Sequence, residues 1–135
     1  MKYSMKHFTL KEFIKSPTAD CLGIDNTPGA AEVDAICALV EKVLDPLREQ
    51  FANPIYVNSG YRCRELNVAV GGSKSSQHLR GEAADITAGN KDANARLWRL
   101  LRKMRLPVDQ AINEHGGAWI HVSYSLRNRR EYFNL

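Results

Sequence analysis

The chain has 135 residues, 44% of them hydrophobic and 25% charged, which suffices for one globular domain with its own core and leaves no length for a second. A formal net charge of +4 is modest: it suits an anionic neighbourhood such as cell-wall polymer but does not demand nucleic acid, and most of it is accounted for by solvated surface. Residues 1–8 lack the apolar core and small-residue cleavage site of a leader, and no later stretch is apolar over the width of a bilayer. The expectation is therefore cytoplasmic synthesis of a soluble chain without membrane insertion.

Thr9-Leu10-Lys11-Glu12 has the form of a capping box opening a short helix, which Ser16-Pro17-Thr18-Ala19-Asp20 is expected to end. From residue 30 to 51, Val33, Ile36, Val40, Val43, Leu44, Leu47 and Phe51 recur at helical spacing and predict one long amphipathic helix, bent or interrupted by Pro46. Ile55-Tyr56-Val57 predicts a strand, stopped by Asn58-Ser59-Gly60. A short helix over residues 62–70 should close at Gly71-Gly72, and small polar residues then form a loop up to Gln77.

Residues 83–87 read as a strand, Asn90 as the cap of a helix running to about residue 105, and Pro107 as its limit. Residues 108–113 and 118–124 flank His115-Gly116-Gly117 and predict a hairpin. Together these elements describe one α+β domain over 1–135, with a small antiparallel sheet and flanking helices: a helical part over 1–52 and a part carrying the chemistry over 53–135. Cys21, Cys37 and Cys63 are odd in number and match neither a zinc clip nor a disulfide scaffold, so they are expected to remain thiols.

The chemistry is concentrated in Ser76-Gln77-His78-Leu79-Arg80-Gly81-Glu82-Ala83-Ala84-Asp85. His78 and Asp85 lie seven positions apart, and His121 follows in a strand-like run behind Glu114. Strand alternation puts Asp85 on one face of its strand and His121 on one face of its own, so that the two can share a face. Two imidazoles and a carboxylate make three metal ligands and leave a tetrahedral position open, the pattern of a hydrolytic metal site. Glu114 has the type and place of the general base. Taken singly, each residue has an ordinary reading, as a core histidine, a strand-end acid or a solvated carboxylate. Jointly, with Gly81 and two alanines expected to clear space between the first ligands, they point to a site.

Ser76-x-His78-x-x-Gly81-x-Ala83-x-Asp85 resembles the zinc-binding signature of the zinc D-Ala-D-Ala carboxypeptidase family, the M15 peptidases, whose wider fold includes phage endolysins and the hedgehog signalling domain. Ser59-Gly60-Tyr61-Arg62 resembles the segment carrying a substrate-binding arginine, and Asp109-Gln110 through Glu114 to Trp119-Ile120-His121 resembles the block carrying the catalytic acid and third ligand. The resemblance implies a hedgehog/DD-peptidase-like fold and one zinc ion on His78, Asp85 and His121. It further implies that Glu114 is the catalytic proton shuttle, that Arg62 binds a substrate carboxylate, and that Ser76 binds substrate or supports His78. Many members have His-x-His at the third ligand where this chain has Trp119-Ile120-His121; His115 and Tyr124 are the available substitutes.

The implied substrate is the peptide stem of bacterial peptidoglycan, cut by a monomer as a carboxypeptidase or as an endolysin-like endopeptidase. Without a leader, such an enzyme would reach the wall through phage lysis, on a virion or by non-classical release. Two rivals are a non-catalytic zinc-containing module of the same fold, and a non-haem iron centre built on two His and one carboxylate. Glu114 argues against the first. The seven-residue spacing of His78 and Asp85 argues against the second.

Overall fold

The computed structural model describes residues 3–135; Met1 and Lys2, part of the stretch read for a leader, lie outside the described residues. A five-stranded sheet in the order β1-β2-β4-β3-β5 forms the centre. Its strands are β1 (Tyr56–Ser59), β2 (Ala83–Thr87), β3 (Gln110–Glu114), β4 (Trp119–Ser123) and β5 (Glu131–Asn134). The first four pair antiparallel, as the hairpin pattern predicts, whereas β5 joins β3 in parallel. The fold is therefore α+β with a mostly antiparallel sheet, and β5 is an element the sequence reading lacks.

Period-two alternation divides the sheet cleanly. Val57, Ala84, Ile86, Ala111, Ile120 and Val122 are buried on one face, against Ile36, Leu39, Val43, Leu44 and Leu47 of the N-terminal helices and Leu97, Trp98 and Leu101 of a later one. The helices are α1 (Leu10–Ile14), α2 (Pro17–Leu22), α3 (Ala30–Leu39), α4 (Asp45–Phe51), α5 (Arg64–Ala69) and α6 (Lys91–Met104). In α6, Ala93, Leu97, Trp98 and Leu101 face inward while Arg96, Arg99, Arg102 and Lys103 face water. Tyr132 of β5 turns to the same apolar face and meets Trp98 edge-on, ring centroids 6.2 Å apart.

Two local readings need correction, and a third is borne out. Ser16-Pro17 does not simply end α1; Ser16 Oγ accepts the Ala19 amide at 3.1 Å and Pro17 takes the first helical position, so the pair starts α2. Pro46 interrupts the long helix, as expected. Proline lacks an amide hydrogen and its ring would strike the carbonyl four residues back, and the chain answers with a wide π-helical turn over Val40–Leu44 before continuing as α4. The loop before His78 ends in a single 3₁₀ turn, Gln77–Arg80, too short to carry a periodic signal.

Candidate active site

The second face of the sheet carries the polar residues. Asp85 on β2 lies directly opposite His121 on β4, and His121 in turn lies opposite Ile112 on β3. Cross-strand partners share a face, so this register turns the expected sharing of a face into direct apposition. Asp85 Oδ1 accepts from His121 Nδ1 at 2.9 Å and stands 3.4 Å from His78 Nε2. The two imidazole rings meet edge to face, 5.2 Å between centroids.

His78 is almost fully buried, at 2% exposure, and its ring and backbone are held on several sides. Its Nδ1–H donates to the Gly60 carbonyl at 2.6 Å, which fixes the tautomer and leaves Nε2 as the outward lone pair. Its backbone amide donates to Ser76 Oγ at 3.2 Å, and its carbonyl accepts from the Arg62 amide at 3.1 Å. Ser76 thus caps the turn that carries the ligand, and its side chain is directed to His78.

Glycine permits this placement at two points, by close approach rather than by clearing the space between ligands as expected. A Cβ on Gly81 would lie 2.5 Å from the Glu32 carbonyl oxygen of α3, and Gly81 has φ +73°, so the turn both needs the left-handed conformation and docks on a helix backbone. A Cβ on Gly60 would lie 2.6 Å from the Phe13 carbonyl oxygen, which also accepts the Tyr61 amide at 2.7 Å. Phe13 of α1 therefore holds the carbonyl that holds His78.

Burial pushes the Asp85 carboxyl up, but the hydrogen bond from His121 and the close approach of the His78 ring outweigh it and hold the group well below the usual carboxylate range. Asp85 is thus an anion between two imidazoles. The ligand atoms of His78, Asp85 and His121 all lie within 4.8 Å of one another. Zinc bonds of about 2.0–2.1 Å in a tetrahedron separate ligand atoms by roughly 3.3 Å. The 3.4 Å and 2.9 Å separations at Asp85 Oδ1 bracket that value, and the donor set of two imidazoles and one carboxylate suits a small divalent cation.

All six residues singled out in the sequence line one cleft of about 810 Å³: Arg62, Ser76, His78, Asp85, Glu114 and His121. Glu114 ends β3 opposite Trp119, two residues along from the partner of His121, about 7 Å of strand. His115 follows at φ +48° and lays its ring over Trp119, centroids 4.7 Å apart, within the cleft. Tyr124, the other candidate for the missing histidine, lines a separate recess with Glu82 and Ser125. Arg62 packs beside Gly72, and its Nε is buried without a partner; burial pushes its guanidinium pKa down, against the charge of Asp85.

Sequence reasoning named Asp109 only as the start of the Asp109-Gln110 block and gave it no role of its own. Fully buried, its carboxylate accepts Arg129 Nε at 2.9 Å and Nη2 at 2.8 Å, the Arg129 amide at 2.9 Å, and Gln77 Nε2 at 2.9 Å. It ties the C-terminal arm to the residue preceding His78. No local pattern reveals that role, because its partners lie 20 and 32 positions away.

Among the described residues, no helix is long and apolar enough to cross a membrane. A family model described as Peptidase M15 matches residues 6–123, a span that includes every candidate ligand as well as Arg62, Ser76 and Glu114. Against curated individual proteins, no match was found.

Proposed function

The chain belongs to the M15 peptidase family, a family of zinc metallopeptidases, and from that premise we propose that it hydrolyses an amide bond in the peptide stem of bacterial peptidoglycan, with one zinc ion on His78, Asp85 and His121. The observation that carries this reading is the convergence of those three ligand atoms within 4.8 Å, in a cleft that also holds a carboxylate and an unpartnered buried guanidinium nitrogen. When bound, zinc supplies a Lewis acid that polarises the scissile carbonyl and acidifies the attacking water.

The chain's own residues supply the rest. His78 presents Nε2 because Gly60 occupies Nδ1–H, and His121 presents Nδ1 once that nitrogen gives up the proton it shares with Asp85. Glu114 takes the proton of the attacking water and returns it to the leaving amine. Arg62 receives a substrate carboxylate on the part of its guanidinium that lines the cleft, with fork geometry that lysine lacks. Ser76 holds the His78 turn. His115, stacked on Trp119, is the donor for the developing oxyanion in place of the family's missing histidine.

A smaller recess of about 240 Å³ shares Arg62 and Asp85 with the cleft and continues toward Lys15, Thr18 and Tyr61. Room beyond Arg62 favours a peptide that runs on past the arginine, hence an internal cut. The test is mass spectrometry of peptidoglycan digested by the wild type and by Glu114→Gln. Product from the wild type alone supports the reading, and its mass identifies the bond. Equal, negligible release by both proteins, each with metal bound, would favour a binding module and overturn it.

A further inference from the structure

The family match ends at residue 123, yet Arg127 and Arg129 of the arm that follows line the same cleft as the metal ligands. The two arginines are held very differently. Arg129 grips Asp109 with two guanidinium hydrogen bonds and one backbone hydrogen bond, and its Nη1 lies 3.8 Å from Glu131. Arg127 reaches Asp109 Oδ2 only at 3.3 Å, at an oxygen already taken by Arg129 and Gln77, and its side chain is 56% exposed.

A single carboxylate cannot neutralise two guanidinium groups, and the shorter, two-pronged contact belongs to Arg129. Two further acids of this region are engaged as well: Glu82 accepts from Arg80 at 3.1 Å and from Gln77 at 3.2 Å, and Glu131 accepts from Gln110 at 2.9 Å. The carboxylates that line the cleft itself are Asp85, among the candidate ligands, and Glu114, the proposed base. Two cleft arginines are left without an anion of their own, Arg62 on one loop and Arg127 on the C-terminal arm. Asp109 stays paired if Arg127 turns away, so Arg127 is free to move onto a ligand.

We propose that Arg127 binds a second substrate carboxylate, so that the cleft selects a peptide carrying two carboxylates, one on Arg62 and the other on Arg127. This rests on the peptide-stem reading above and adds to it the charge pattern of the substrate. The cleft volume of about 810 Å³ falls within the range of ligand-sized sites, roughly 300–1,000 Å³.

The test measures binding without turnover, by titrating zinc-loaded Glu114→Gln protein with three stem peptides: both carboxylates free, the C-terminal one amidated, and the internal one amidated. Adding Arg127→Gln should weaken the diacid roughly fivefold, as expected of a partly exposed charge pair, and should remove the effect of one amidation only. Adding Arg62→Gln should remove the effect of the other. Arg127→Lys should recover part of the loss, and the thermal midpoint of Arg127→Gln should match that of its parent. Equal weakening of all three peptides by Arg127→Gln, or no weakening, would overturn the assignment while leaving the hydrolase reading intact. Failure of every peptide to bind, together with no cleavage by the wild type, would overturn both.

Discussion

The two faces of β4 are built from alternate residues of one five-residue strand, and they do different work. Ile120 and Val122 are fully buried against the helices, while Trp119 and His121 line the cleft. On the apolar face, shape and volume decide what is tolerated; on the other, ligand atoms and charge decide. Stability and chemistry are therefore separable here by a step of one residue. Substitutions on adjacent positions should fail in different assays.

The largest effect is expected at His121→Ala. It removes a metal ligand, so metal content should fall and turnover should drop by roughly a thousandfold or more, consistent with losing several kcal/mol of Lewis-acid stabilisation. The metal-free thermal midpoint should stay close to that of the metal-free wild type. Elemental analysis finding one equivalent of zinc in the purified variant would contradict the ligand assignment. Next, Ile120→Ala should lose about 2–5 kcal/mol of stability in denaturant titration, while the folded fraction keeps metal and activity. A variant that unfolds at the wild-type midpoint would show that this face is not a packed core.

Asp109→Asn tests the bridge between the faces and the arm, at an expected cost of about 1–3 kcal/mol. Hydrogen bonds from Arg129 hold the Asp109 carboxyl well below its ordinary range, against burial. A carboxyl depressed in the folded state contributes stability that is present above its unfolded pKa, about 3.9, and is lost as pH falls from there toward the lower folded value. Thermal midpoints of the wild type should therefore fall more steeply below about pH 4 than those of Asp109→Asn. Identical slopes would remove Asp109 from the acid sensitivity.

The smallest effect is expected at Ser76→Ala, about 1 kcal/mol from loss of a turn cap. If Ser76 acts through His78, zinc affinity should weaken while KM stays unchanged. A raised KM with normal zinc affinity would instead make it a substrate contact.

These contrasts show why part of the molecule is legible in its sequence. The ligand set could be read because alternation fixes the face of Asp85 and His121 without knowledge of register, and because the ten-residue run from Ser76 to Asp85 is local. Pairing Asp85 with His121 atom to atom needed the register, which strand periodicity does not carry. β5 escaped because Glu131 to Asn134 are mostly exposed on an edge and follow a charged stretch, so neither burial nor alternation marks them. Its parallel partner lies some 20 residues away.

Two basic stretches, residues 99–105 and 127–130, make the same point. Arg99, Arg102 and Lys103 are solvated on α6, whereas Arg127 and Arg129 enter the cleft because Asp109 waits beneath them. Both runs are basic in composition, with Arg99, Arg102, Lys103 and Arg105 in one and Arg127, Arg129 and Arg130 in the other. Only the buried anion tells them apart.

The seat of Gly60 against Phe13 has one more consequence. The carbonyl that orients His78 rests on the backbone of α1, so filling the metal site should stiffen a helix that contributes no ligand. Hydrogen exchange at the Tyr61 amide, which ends on the Phe13 carbonyl, should slow on zinc addition in step with occupancy. That amide would report on metal occupancy from outside the catalytic cleft.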